Sequence, residues 1–181
     1  MYTNAAWQLI DEARADLPVH ADADDVATRM KALLTPREPA DILALAQPLW
    51  DLFTNSYRVD LWAAAYLING GASDDGFDYF RGWLIAQGRT TYEQALASPD
   101  GLADHPAVIH AAATGEDLWG EAMISVVWDT YETVTGKALP DDAYTGTYPD
   151  LDSDSDFDFD DDAEMRHRLP RLTALFHGNQ T

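Results

Sequence analysis

The sequence predicts an all-α fold: a compact orthogonal helical domain with a central buried helical hairpin and an acidic C-terminal segment. Three observations carry that prediction. Apolar residues recur at intervals of three and four from Trp7 to Val134. Sustained period-two alternation, the mark of a half-buried strand, is confined to residues 150–160. The run Leu61 to Ile68 is apolar on every side, as in a helix surrounded by other helices. At 181 residues and 46% hydrophobic composition, the chain is long enough for one domain with its own core.

A cap at Thr3 or Asn4 opens a first helix in which Trp7, Ile10 and Arg14 recur at helical spacing, ending near Leu17 and Pro18. Asp22 to Leu34 repeats the pattern, with Val26, Met30, Leu33 and Leu34 inside. Asp41 to Thr54 reads as a third helix that Pro48 kinks or divides. Asp60 to Ile68 is the central helix, and Trp62 on it is expected to be a buried ring. Asn69-Gly70-Gly71 ends that helix and Ser73 caps the next, so the two form a hairpin. Asp74 to Gln87 carries Phe77, Phe80 and Leu84 on one stripe, and Gly88 stops it. Short helices follow at Thr91 to Ala97 and Pro106 to Ala113, separated by a Ser98-Pro99-Asp100 cap. The longest pattern runs from Glu116 to Thr135. Trp119, Met123, Val126, Val127 and Thr130 form one face and Ile124, Trp128 and Tyr131 a second, which predicts a mostly buried helix. Composition then changes. Residues 1–139 read as the helical domain, 140–164 as an acidic segment, and 165–181 as a helix docking back on the same domain through Leu169, Leu172, Leu175 and Phe176.

The chain has no cysteine, which excludes disulfides, thiolate metal sites and thiol nucleophiles. Eleven Lys and Arg stand against 32 Asp and Glu, a formal charge of −21, so direct nucleic-acid binding is not expected. The first sixteen residues lack the basic and apolar regions of a signal peptide, and no stretch is apolar for the length of a bilayer, so a cytoplasmic protein is expected. No glycine-rich phosphate loop, nucleophile elbow or His-Glu-x-x-His is present. His105 and His110 do not share a helix face, which makes capping or surface roles the reading for both.

Two places concentrate polar chemistry. Asp74, Asp78 and Arg81 fall at i, i+4 and i+7, one strip of a helix, with Asp75 and Trp83 close in sequence. Such a set can line a pocket for a metal, a polar ligand or a partner's charged group. The same residues also read as a capped helix whose first-turn aspartates favour the dipole and whose Asp78–Arg81 pair is structural, as most such ion pairs are. The second place is the tail, where eleven acidic residues and no basic one lie between Pro140 and Glu164. Asp150, Asp152, Asp154, Asp156, Asp158 and Asp160 alternate there with Leu151, Ser153, Ser155, Phe157 and Phe159, so an extended chain turns carboxylates one way and both phenylalanines the other. The tail reads either as a surface for a basic partner, or as a solvated linker pinned by its phenylalanines. A divalent cation is the one cofactor the residues suggest. Read as an EF-hand loop from Asp150, however, Ser155 stands where glycine makes the turn and Asp161 where a bidentate glutamate is expected. Arg166, Arg168 and Arg171 are the nearest internal counter-ions for the tail.

Several blocks carry a family likeness: Trp7-Gln8-Leu9-Ile10-Asp11, Leu61 through Gly71, Ser73-Asp74-Asp75-Gly76-Phe77-Asp78-Tyr79-Phe80-Arg81-Gly82-Trp83-Leu84-Ile85, Gln87-Gly88-Arg89 and Pro99-Asp100. In these blocks the chain resembles a bacterial family known as domain of unknown function 4240, common in actinobacteria, over about residues 1 to 128. Leu169-Pro170-Arg171-Leu172 resembles the family's C-terminal ending. Position 72, often cysteine in such sequences, is Ala72 here, which removes any thiol from that place. Some relatives are fused to a DNA-associated WGR module, and none is visible in this chain. The resemblance implies no activity. The residues themselves point first to a binding or regulatory module that engages a basic protein, because acidic binders gain association rate by steering. The alternatives are an enzyme or ligand-binding protein using Asp74, Asp75, Asp78 and Arg81, and calcium binding by the tail.

Overall fold

A computed structural model describes residues 3–18, 21–151 and 157–178. Among the described residues the chain is all-α, with eleven α-helices, one 3-10 helix and no strand. The helices are α1 (Asn4–Ala15), α2 (Ala23–Leu34), α3 (Pro39–Leu43), α4 (Ala46–Asn55), α5 (Val59–Ile68), α6 (Asp74–Ala86) and α7 (Arg89–Ala97). The 3-10 helix (Pro99–Asp104) leads into α8 (Pro106–Thr114), α9 (Ala122–Thr135), α10 (Asp162–Arg168) and α11 (Pro170–His177).

The α5–α6 hairpin sits at the centre. Leu61, Ala63, Ala64, Ala65, Leu67 and Ile68 of α5 are buried, and the helix is packed by α6, α8, α11 and the 3-10 helix. Gly70 and Gly71 make the turn at φ 65° and 130°, backbone that favours glycine. Ser73 then caps α6, its hydroxyl accepting from the Gly76 N–H at 3.2 Å. On the other side, α2 lies between α1 and α9 and also touches α6, so Met30, Leu34, Phe80, Met123 and Val126 share one core.

The third helix is divided, as expected, into α3 and α4, with the break ahead of Pro48, and three other expectations are corrected. A proline there has no N–H to give the Ala44 carbonyl four residues back, and its ring would strike that carbonyl, so the ladder ends at Leu43 and restarts at Ala46. The long helix begins at Ala122, not Glu116. Gly120 is pressed against α6, its N–H donating to the Tyr79 carbonyl at 2.9 Å, and a Cβ on either Gly82 or Gly120 would run into the facing backbone. At that contact residues 116–120 are not helical. Trp62 is half-buried, with its indole N–H donating to the Ala72 carbonyl at 2.9 Å. The terminal helix is likewise divided, because Pro170 opens α11 and the Asp100 carboxylate caps it by accepting from the Arg171 and Leu172 N–H groups.

Candidate functional site

Asp74 and Asp75 occupy the exposed first turn of α6, where carboxylates favour the positive end of the helix dipole. Asp78 lies one turn further on. Arg81 follows, and its side chain is 0% exposed while that of Asp78 is 29% exposed. The guanidinium donates to the Asp78 carboxylate and to the Phe53 carbonyl at the end of α4. Its remaining surface is covered by aromatic rings, with Tyr148 at 4.5 Å, Phe77 at 4.8 Å, Tyr57 at 5.0 Å and Phe53 at 5.7 Å. Nε alone has no hydrogen-bond acceptor. A planar, weakly hydrated cation is the one charged group suited to such a place, since its faces stack while its edges donate.

Tyr148 belongs to the acidic segment, and it shows how that segment is held. Its ring stacks on Tyr57 at 4.5 Å and 6° and on Trp50 at 5.3 Å, and its hydroxyl reaches the Asp78 carboxylate at 3.4 Å. Burial pushes the Tyr148 hydroxyl pKa up, with Arg81 pulling the other way. Tyr144 covers the other part of Trp50 at 4.8 Å, and Gln47 accepts from the Thr145 N–H at 2.7 Å. Further along, Phe159 meets Trp62 and Tyr66, Phe157 packs edge-on against Phe159, and the Arg168 guanidinium lies 4.2 Å from the Phe157 ring. The described parts of the segment, 140–151 and 157–164, therefore form a strap seated along an aromatic seam of the helical body.

The acids of the strap face the other way. Asp141, Asp142, Asp150, Asp158, Asp160, Asp161 and Asp162 are exposed, whereas Tyr144, Tyr148, Phe157 and Phe159 are half-buried. Asp160 accepts from the Tyr66 hydroxyl, Asp158 accepts from the Asp160 N–H, and Asp161 caps α10. The arginines expected to neutralise the tail reach only the last of its acids, Asp162 and Glu164, and otherwise pair with the body. Arg166 pairs with Asp162, Arg168 with Glu164 and Asp60, and Arg171 with Asp104. Of the aspartates named as cation ligands, Asp152, Asp154 and Asp156 lie outside the described residues. Among the described residues no group of three His, Asp or Glu converges as a metal site.

The structure joins Asp78 to Arg81 but not to Trp83, which points into the core on another side of α6 and meets His105 edge-on at 5.5 Å. Arg81 and Trp83 are thus interior groups, and Asp74 and Asp75 are the surface members of the set. A cleft of about 330 Å³ does exist, at a different place: it lies between the start of α5, the end of α7 and the strap, with Arg58, Asp60, Leu96, Pro99 and Asp150 among its walls. Sequence reasoning missed Trp50, Tyr57, Tyr144 and Tyr148. The available signal was the spacing of the two tyrosines, four residues apart and ahead of two phenylalanines, in a segment otherwise acidic and small.

The model of a family described as a protein of unknown function (DUF4240) matches residues 1–133, from the start of the chain to the last turn of α9. Neither the curated proteins nor the solved structures contain a match.

Proposed function

Because the chain belongs to the DUF4240 family, whose description assigns no activity, we propose a function from its surface: a binding or regulatory module that engages a basic protein partner, with the acidic strap as the charged part of its contact. The observation that carries this reading is the sorting of the strap, aromatic rings toward the body and carboxylates toward water. A linker pinned by Phe157 and Phe159 alone does not call for the further seating of Tyr144 and Tyr148 on Trp50 and Tyr57. Fixing like charges in place costs repulsion that a cationic partner relieves, and the resulting field speeds its approach. The two other readings have less support. Arg81 is enclosed by protein on every side, so a ligand site on α6 is left with Asp74, Asp75 and the exposed part of Asp78. Calcium binding by the tail would have to rest largely on residues 152–156.

The test is the affinity for a labelled lysine-rich peptide of about twenty residues, followed by anisotropy as salt is raised from about 50 to about 500 mM. Changing Asp141, Asp142 and Asp150 to Asn is expected to weaken binding severalfold more than changing the equally exposed Asp11, Asp24 and Glu38 to their amides. Equal losses from the two sets would show a diffuse charge effect and contradict the strap's role.

A further inference from the structure

Among the described residues only four large hydrophobic side chains are exposed, and three of them, Trp119, Ile124 and Trp128, belong to α9 and the turn that leads into it. Their exposures are 54%, 42% and 46%. Ile124 and Trp128 stand four apart and share one strip of the helix. Trp119, in the segment that leads into the helix, is held at α6 by the Gly120–Tyr79 hydrogen bond and by its edge contact with the Tyr79 ring at 6.0 Å. The fold does not need these side chains. The opposite side of α9, with Met123, Val126, Val127 and Thr130, already supplies the buried contacts. Two exposed tryptophans around an isoleucine instead match the composition of binding anchors.

The charges around the strip select the occupant. Asp117 and Glu121 are exposed beside Trp119, and Glu132 is exposed one turn beyond Trp128. The Glu121 carboxylate, then desolvation and Asp75, push the Tyr79 hydroxyl pKa up. The lysine of the neighbouring helix, Lys31, is held by Asp129 at 2.6 Å. A second copy of this chain would bring the same acidic rim and another −21 charges. The strip also lies wholly within the residues that match the family, whereas the strap lies beyond them.

We propose that the outer face of α9, formed by Trp119, Ile124 and Trp128, is the anchor site for a cationic amphipathic helix of the partner. Its aliphatic side chains cover Ile124, and its lysines or arginines lie over the indole faces and against the acidic rim. This rests on the reading that the chain binds a basic protein, and it adds where the apolar contact is made.

The probe is an 18-residue helical peptide of leucine and lysine with one apolar face. A peptide of the same composition in scrambled order and a leucine–glutamate analogue serve as comparisons. The amphipathic basic peptide is expected to bind with a blue shift of tryptophan emission, and the paired change Ile124→Ser with Trp128→Ser is expected to weaken it at least about tenfold. The scrambled peptide's weaker binding is expected to be unaffected by that change, and the acidic analogue is expected not to bind. In the unaltered protein, bound peptide is expected to protect tryptophan from acrylamide quenching, a readout that does not depend on how the variant folds. Unchanged affinity in the variant, or unchanged quenching on binding, would remove the α9 site while leaving the proposed function standing. No binding of either basic peptide at low salt would instead overturn the proposed function. Self-association that the paired change abolishes would assign the face to a second copy and overturn the inference.

Discussion

Arg81 gives up its hydration entirely for one carboxylate, one carbonyl and four ring faces. Such a group is worth little as a net source of stability, yet it is costly to alter, because its neighbours are shaped around a flat cation. Arg81→Lys keeps the charge but loses the stacking plane and the second donor edge. It should lower the unfolding free energy by about 2–4 kcal/mol in urea titration. A change below about 0.5 kcal/mol would mean that the ring cage does not depend on the guanidinium. The i, i+3 pairing with Asp78 was legible in the sequence, but the cage was not. Three of its rings, Phe53, Tyr57 and Tyr148, come from other elements, and no local pattern encodes their approach.

Helix by helix, the apolar periodicity located most of the elements, because the inward stripe of an amphipathic helix is written at fixed spacing. It misjudged α9 for a physical reason. An apolar stripe left at the surface has the same spacing as one that meets the core, so Ile124 and Trp128 read as buried although they face solvent. Pro48 was correctly read as a disruption, and the proline's clash with the Ala44 carbonyl explains why the break falls before it. The α8 cap carries a pH dependence. His105 Nδ1 accepts from the Ala107 N–H at 3.3 Å, and burial, then the charge of Arg14, hold its pKa below the ordinary 6.5. The folded state therefore binds fewer protons than the unfolded one as pH falls below 6.5. Stability that is intact above that value is lost through the window between it and the lower folded value. His105→Asn, which keeps an acceptor for the cap without titrating, should flatten thermal stability between about pH 7 and pH 5. An unchanged pH slope would show that other groups set it.

Across the whole molecule, the strap ties the acidic segment to the body at Trp50, Tyr57, Trp62 and Arg81. The sequence showed the alternation of acid and aromatic residues at its far end, and Phe157 and Phe159 do pack inward. What the sequence did not show was the seam that receives them, since Trp62 read as a buried ring of its own helix and no local pattern marks Trp50 or Tyr57. Tyr148→Ala should cost about 2–4 kcal/mol if the strap and body unfold together, and should open residues 140–151 to protease well below the melting temperature. Retained protease resistance would place the strap's anchorage elsewhere.

In the proposed function this chain presents two outward features to a cationic partner, the carboxylates of the strap and the tryptophan face of α9, while Arg81 remains interior. Amide chemical shifts of the labelled protein, followed during titration with the leucine–lysine peptide, test it directly. The account predicts perturbations concentrated on residues 119–132 and on the exposed aspartates of the strap, with the α6 amides around Arg81 unmoved. Shifts centred on Asp74 to Arg81, with α9 and the strap silent, would contradict it.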